Sequence, residues 1–180
     1  AVGAALSTDE QASITTAPTE NAEAYRLYLQ GLEYWTRPGT LRSNAVIAQG
    51  FFERALTLDP RFAHAHAALS TVHGRMYWFR YAPSEGRAAR QREEAEAALR
   101  LAPDMPEAHI AMGLSHYWGA RDYRRALDEF MLAAHGFPND VETVSSIGYL
   151  NRRLGNWDAV TESFEKATRL NPLGADLFWD

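Results

Sequence analysis

Four segments of the chain end in the same way, and this periodicity restricts the fold more than any other feature of the sequence. Each segment closes with a proline that follows a helix-forming run, at Pro60, Pro103, Pro138 and Pro172. Successive prolines are 43, 35 and 34 residues apart, so the underlying period is close to 34 residues. Such self-similarity is typical of repeat proteins, in which each unit buries its apolar face only by stacking on its neighbours.

Two further markers of helix packing recur along the repeats. A small residue interrupts the first apolar helical pattern, and it allows close approach of a partner helix: Gly31, Ser70, Gly113 and Gly148. In three repeats the second pattern has small, aromatic and small residues at i, i+4 and i+7: Ala48, Phe52 and Ala55; Ala126, Phe130 and Ala133; Val160, Phe164 and Ala167. Because proline cannot continue a helix interior, each closing proline ends a unit. The patterns predict helices over residues 24–35 and 44–58, 62–81 and 86–101, 106–119 and 122–136, and 140–154 and 157–170.

The second repeat departs from the pattern. It has Gln91 and Ala95 where the others have a small residue and Phe, and it carries nine extra residues that include an aromatic stretch at 75–81. The first repeat carries five extra residues around 35–39, which predict a longer loop. We expect the aromatic stretch to lengthen the first helix of repeat two. We also expect this repeat to be the least stable, unless the aromatic residues of the stretch, Tyr77, Trp78 and Phe79, fold back against it.

A period of 34 with a small–aromatic–small second helix and a closing proline resembles the tetratricopeptide repeat (TPR). The resemblance implies an all-α fold, a right-handed superhelix (α-solenoid) of helical hairpins. It divides the chain into an N-terminal arm from an upstream domain at 1–20, four units within 21–172, and the start of a truncated fifth repeat at 173–180. The four units span 24–60, 61–103, 104–138 and 139–172. The chain is therefore expected to be a piece of a longer protein.

A narrower resemblance concerns the entry to the repeats. The chain is similar to TPR regions of bacterial signalling proteins in residues 18–25, 28–31 and 34–35. Those regions also have a lengthened second repeat and a third repeat one residue longer than the period. In those proteins the repeats follow a class III adenylate (nucleotide) cyclase, a protein kinase or a winged-helix domain, often with a TolB-like segment between. This resemblance implies an attached effector domain but does not identify which one.

Composition excludes several classes of function. The chain has 18 basic and 23 acidic residues and a net charge of −5, so nucleic-acid binding is not expected. It has no cysteine, which excludes disulfides, thiolate catalysis and Cys-based metal sites. No stretch without Asp, Glu, Lys or Arg is longer than thirteen residues, the length of 62–74, which is short of the roughly 20 apolar residues that a membrane span needs. With no signal-peptide pattern at the start, a cytoplasmic location is predicted.

The histidines are the only residues in the sequence that suggest a metal site. His66 and His109 occupy one repeat position, and His73 and His116 occupy another, which indicates packing residues and not ligands. His64 completes the cluster, but there is no His-Glu-x-x-His spacing and no carboxylate is expected beside it. No nucleophile elbow and no Gly-rich phosphate loop occur. We therefore expect no metal, no cofactor and no catalytic site in this fragment.

The inner face of the superhelix is the remaining candidate site. Residues at offsets −6, −3, +1, +4 and +5 from each small residue lie on one side of the first helices, where Tyr, Trp and Arg, the types enriched in binding hot spots, converge. The stripe consists of Tyr25, Tyr28, Leu32, Trp35, His64, Thr71, Arg75, Glu107, Ile110, Leu114, Tyr117, Trp118, Glu142, Ser145, Tyr149, Arg152 and Arg153. The alternative is that several of these side chains only cover the inter-repeat core.

The predicted function is a non-catalytic module that holds an extended or helical segment of a partner protein, or of its own effector domain. One alternative is the regulatory or dimerisation region of a signalling enzyme or transcriptional regulator, and a weaker one is a small-molecule sensor. The open C-terminal end, with Leu177, Phe178 and Trp179, also predicts self-association. Some TPR domains clamp an acidic chaperone C-terminus with Lys and Asn; the matching positions here are Tyr28, Leu32, Ala67, Ala68, Thr71 and Ala111, so that partner is not expected.

Overall fold

The computed structural model describes residues 18–37, 41–81 and 85–172. This part of the chain is helical and contains no strand. Its eight α-helices are α1 Ala22–Thr36, α2 Leu41–Leu58, α3 Ala63–Trp78, α4 Glu85–Leu101, α5 Pro106–Leu114, α6 Tyr123–Gly136, α7 Val141–Leu154 and α8 Trp157–Leu170. A π-helical segment, Ser115–Ala120, continues α5. The predicted arm at 1–20, apart from 18–20, and the predicted fifth repeat at 173–180 with Leu177, Phe178 and Trp179 lie outside the described residues.

Consecutive helices pack as hairpins: α1 with α2, α3 with α4, α5 with α6, and α7 with α8. The hairpins stack through contacts of α2 with α3, of α3 and α4 with α5, and of α6 with α7. The first helix of one hairpin therefore packs beside the hairpin before it. This arrangement places α3, α5 and α7 along one face of the molecule.

Three hairpins close through the same contact between glycine and phenylalanine. A Cβ added to the glycine of the first helix would lie 2.4 to 2.9 Å from the phenylalanine ring of the second helix, too close for any side chain. All three rings are buried. The prediction that small residues permit close helix approach is confirmed at these sites. The pairs are Gly31 with Phe52, Gly113 with Phe130, and Gly148 with Phe164.

The second hairpin closes differently, through Gln91. This side chain is fully buried, and a Cβ at Gly74 would lie 2.3 Å from its Nε2. Ser70 Oγ donates a hydrogen bond of 2.7 Å to the backbone carbonyl of Gln91. Relative to the other hairpins the sizes are exchanged, since a large residue stands at 91 and a small one at Ala95. The expected low stability of this repeat stays a prediction.

One predicted helix end, at 119, is wrong, and another, at 81, is three residues beyond the observed end. The helix predicted over 62–81 ends at Trp78, because Arg80 adopts left-handed backbone angles with φ 56°. The helix predicted over 106–119 is α-helical only to Leu114, after which the chain turns into the π-helical segment. The aromatic stretch at 75–81 thus adds less helix than the sequence indicates. The other predicted ends differ from the observed ones by three residues or fewer.

Candidate functional site

The first helices of hairpins two to four line one large depression, here called the large groove. Its volume is about 730 Å³, and its walls come from α3, the end of α5, the π-helical segment and α7. Eight side chains of the predicted stripe lie together in it. They are Arg75, Leu114, Tyr117, Trp118, Glu142, Ser145, Tyr149 and Arg152.

A second depression, here called the small pocket, lies between α1, α3 and α5. Its volume is about 140 Å³. Seven further side chains of the stripe line it: Tyr28, Leu32, Trp35, His64, Thr71, Glu107 and Ile110. Tyr25 and Arg153 line neither depression. Tyr25 stacks on Tyr28 with ring centroids 6.3 Å apart, and Arg153 is exposed.

Arg75 connects the two depressions. Its guanidinium carbon lies 4.2 Å from the centre of the Trp35 ring, so the cation rests on the indole of hairpin one. Its Nη2 is 3.5 Å from Glu142 Oε1 on hairpin four. Arg75 therefore links three hairpins across the face on which the candidate site lies.

Aromatic rings form one wall of the large groove. Trp78 stacks on Trp118 with centroids 6.1 Å apart and an interplanar angle of 22°, and it lies 5.7 Å from the Tyr117 ring. A Cβ at Gly74 would come within 3.0 Å of Trp118 Cε3, so the glycine lets this indole lie close to α3. The π-helical segment that carries Tyr117 and Trp118 is a feature often found at functional sites.

The opposite wall of the large groove is built on α7. Tyr149 packs edge-on against Phe164 at 5.2 Å, and the Arg152 guanidinium lies 5.6 Å from the Tyr149 ring centre. Burial raises the pKa of the Tyr149 hydroxyl, so it stays protonated at neutral pH. The groove thus combines apolar ring surface with two arginines.

The small pocket is apolar with a few polar groups at its rim. Burial, followed by the charge of Glu107, raises the pKa of Tyr28, whose hydroxyl is therefore neutral. Burial also lowers the pKa of His64, although Glu107 acts in the opposite direction. His64 Nδ1 is buried and has no hydrogen-bond partner within the described residues. This pocket suits an apolar side chain better than a charged one.

The sequence stripe missed part of both linings. In the large groove the missed residues are Trp78, Phe79, Asp140, Val141, Ser146 and Asn171, and in the small pocket Ala67 and Ala68. Trp78 follows Arg75 by three positions on the same helix face, so extending the stripe by one turn would have found it. Asn171 follows α8, a second helix, and a stripe restricted to first helices could not include it.

Histidines in register make the same contact in two hairpins. His66 Nδ1 lies 2.5 Å from Glu94 Oε2, and His109 Nδ1 lies 2.7 Å from Glu129 Oε2. The expectation that no carboxylate lies beside the histidine cluster is wrong, because the partner helix supplies one. No group of three potential ligands that could hold a metal ion occurs in the described ranges. The histidines at 66 and 109 are interhelix contacts.

Within residues 18–37, 41–81 and 85–172, no helix is both long and apolar enough to span a bilayer.

Comparison with solved structures identifies the fold. MamA of Desulfovibrio magneticus RS-1 superposes with a TM-score of 0.58 at 18% identity, covering 91% of this chain and 81% of that one. A thermophilic TPR protein of Thermus thermophilus gives 0.57 at 17% identity, covering 86% of this chain and 94% of that one. Yeast Tom70 gives 0.58 at 20% identity over 86% of this chain and 32% of that one. No protein-family model and no curated protein matches the chain. The fold is an all-α TPR superhelix, as the repeat pattern predicts.

Proposed function

We propose that this chain is a non-catalytic protein-interaction scaffold whose large groove holds an extended or helical segment of a partner protein. One observation carries the proposal: aromatic and arginine side chains from three hairpins line a single groove of about 730 Å³. A few residues carry most of the binding energy in protein interfaces, and Tyr, Trp and Arg are enriched among them, chiefly in a well-packed centre. The TPR fold supports a binding role because stacked helical repeats create extended concave surfaces of this kind.

The openness of the groove favours a peptide segment over a small molecule. Trp78 and Phe79 at its edge are 37% and 52% exposed. A small-molecule site buries most of its ligand, about 70–90% of the ligand surface, which requires walls on nearly every side. A segment of chain can instead lie across Trp78 and leave the groove at both ends. The sensor alternative is therefore the weaker one.

Other expectations from the sequence stay predictions. These are a regulatory role beside a signalling effector domain, a cytoplasmic location, and self-association through residues 173–180. The absence of nucleic-acid binding also stays a prediction. None of them is needed for the groove to bind a peptide segment.

Selection from a library of random peptides displayed on phage tests the groove directly. We expect the purified chain to enrich peptides that share a motif. Changing Tyr117 and Trp118 together to Ala should lower the affinity for a selected peptide by roughly 30-fold. This is equivalent to about 2 kcal/mol, the usual threshold of a hot spot. The matched control is Trp157→Ala, which removes an aromatic ring that is 65% exposed and lines neither depression. Circular dichroism of each variant verifies that the helices persist.

The outcomes separate the binding surfaces. Full affinity in the Tyr117 and Trp118 double variant, with a loss in Trp157→Ala, would place the interface away from the groove and contradict the proposal. A selection that enriches no common motif would contradict it as well. Loss in the double variant alone supports it.

A further inference from the structure

Two arginines adopt a backbone conformation that favours glycine. Arg80 and Arg121 both have φ 56°, and within the described residues they are the only non-glycine residues with positive φ. A Cβ in this left-handed region is disfavoured because it crowds the following carbonyl oxygen. The backbone conformation therefore does not explain why either position holds an arginine.

The end of α3 shows what the backbone requires at Arg80. The Arg80 amide donates to the Tyr77 carbonyl at 3.2 Å, and the Tyr81 amide donates to the Met76 carbonyl at 3.0 Å. This pair of hydrogen bonds is the Schellman motif, and Arg80 holds its left-handed position. Glycine is the residue usually found there.

The end of α7 contains the same motif with glycine in place. The Gly155 amide donates to the Arg152 carbonyl at 3.4 Å, the Asn156 amide donates to the Asn151 carbonyl at 3.0 Å, and Gly155 has φ 79°. Arg80 thus occupies in hairpin two the position that Gly155 occupies in hairpin four. An explanation for the arginine has to lie in its side chain.

Both arginine side chains line one cavity, here called the arginine cavity. It has a volume of about 440 Å³ and is completed by Tyr77, Trp78 and Trp118. Trp78 and Trp118 also line the large groove, so their stacked rings form the wall that the two share. Arg80 and Arg121 are exposed, and neither makes an ion pair with a described residue. A chain lying in the groove and crossing this wall would bring its next side chain to two cations.

We propose that the arginine cavity binds a carboxylate of the partner segment, an Asp or Glu side chain next to the apolar or aromatic residue that lies in the large groove. The inference rests on the proposed function and adds the chemistry of the partner. Guanidinium groups bind carboxylates through paired charge-assisted hydrogen bonds, which suits a site with two arginines.

The group assigned to this cavity is a carboxylate, because it is the anion that an unmodified peptide segment carries and its two oxygens match the guanidinium donors. Asp122 directly follows Arg121, but it does not cancel the positive charge of the cavity. Its side chain accepts a hydrogen bond from the Arg125 amide at 3.2 Å and pairs with Arg125 Nε at 3.5 Å, so a further cation balances it. The phosphoserine peptide in the test decides between a carboxylate and a phosphate.

The test uses a peptide selected by phage display and synthesised with Glu, Gln or phosphoserine at its acidic position. We expect the Glu peptide to bind at least tenfold more tightly than the Gln peptide. Arg80→Gly together with Arg121→Gly should remove that difference. The same double variant should unfold at an unchanged or higher urea concentration, because glycine suits both backbones. The matched control, Arg61→Ala with Arg124→Ala, removes two exposed arginines outside the cavity and should keep the preference for Glu.

The outcomes distinguish a failure of this inference from a failure of the proposed function. Equal affinity of the Glu and Gln peptides, or a selected motif without an acidic residue, overturns the inference; continued dependence on Tyr117 and Trp118 would leave the proposed function standing. Easier unfolding of the double glycine variant would show that the arginines serve stability, and would also overturn it. Tenfold tighter binding of the phosphoserine peptide would make the ligand a phosphate and the carboxylate assignment wrong. If no peptide depends on Tyr117 and Trp118, the proposed function fails and this inference fails with it.

Discussion

The guanidinium of Arg87 donates a hydrogen bond to the imidazole of His73, with 2.9 Å between Nη1 and Nδ1. His73 is 2% exposed, and its Nδ1 must be unprotonated to accept this bond. Burial, followed by the positive charge of Arg87, lowers the pKa of His73 to about 4. Hairpin two is therefore built around a neutral histidine.

This histidine predicts a stability loss in mild acid. Between about pH 6.5 and 4 the unfolded chain protonates His73 while the folded chain does not, so the free energy of unfolding falls as the pH falls. We expect His73→Gln, which keeps a polar group near Arg87, to reduce that fall by about 1–3 kcal/mol. Urea unfolding at pH 7, 5.5 and 4.5 measures it, with His135→Gln on the exposed face of α6 as the control. Parallel pH profiles of wild type and His73→Gln would contradict the prediction.

Gly31 and Gly50 have different surroundings, so replacing each by alanine should have opposite effects on the free energy of unfolding. At Gly31 a Cβ would lie 2.4 Å from Cε1 of the buried Phe52, so Gly31→Ala should lower the free energy of unfolding by about 1–3 kcal/mol. At Gly50, inside α2, nothing lies within 4 Å, so Gly50→Ala should raise it by about 0.5–1 kcal/mol through helix propensity. Chemical denaturation of both variants checks the pair. A neutral Gly31→Ala would mean that the Phe52 ring can move aside.

The contact at Gly31 also illustrates what the sequence could predict. The small residue and Phe52 recur with the period, so pattern alone located the hairpins and the side of α3, α5 and α7 that lines the groove. The contact of Gln91 with Gly74 occurs once and depends on how two helices meet, and no periodic signal reports it. The π-helical turn at 115–120 and the left-handed backbone of Arg80 could not be predicted from the sequence for the same reason. Trp78, in contrast, is in register with the stripe and was missed only because the stripe stopped at Arg75, one turn before it.

Gln91 offers a prediction about buried polar groups. Neither Nε2 nor Oε1 of this fully buried amide has a hydrogen-bond partner in the described residues. Burying an unpaired polar group costs about 1–3 kcal/mol, and Met has a similar length and volume. We therefore expect Gln91→Met to raise the free energy of unfolding by about 1 kcal/mol or more, measured by urea denaturation. A comparable loss of stability would indicate instead that a buried water satisfies the amide.

Arg152 and Arg153 are consecutive on α7 and provide a matched pair for the groove. Both side chains are exposed, but Arg152 lines the large groove with its guanidinium 5.6 Å from the Tyr149 ring centre, whereas Arg153 lines neither depression. Reversing either charge changes the net charge equally, so long-range electrostatics affect both variants alike and are largely screened at about 0.15 M salt. We expect Arg152→Glu to weaken a phage-selected peptide at least tenfold and Arg153→Glu to change its affinity less than threefold, by isothermal titration calorimetry. Equal effects of the two reversals would mean that the peptide responds to overall charge and does not contact Arg152 in the groove.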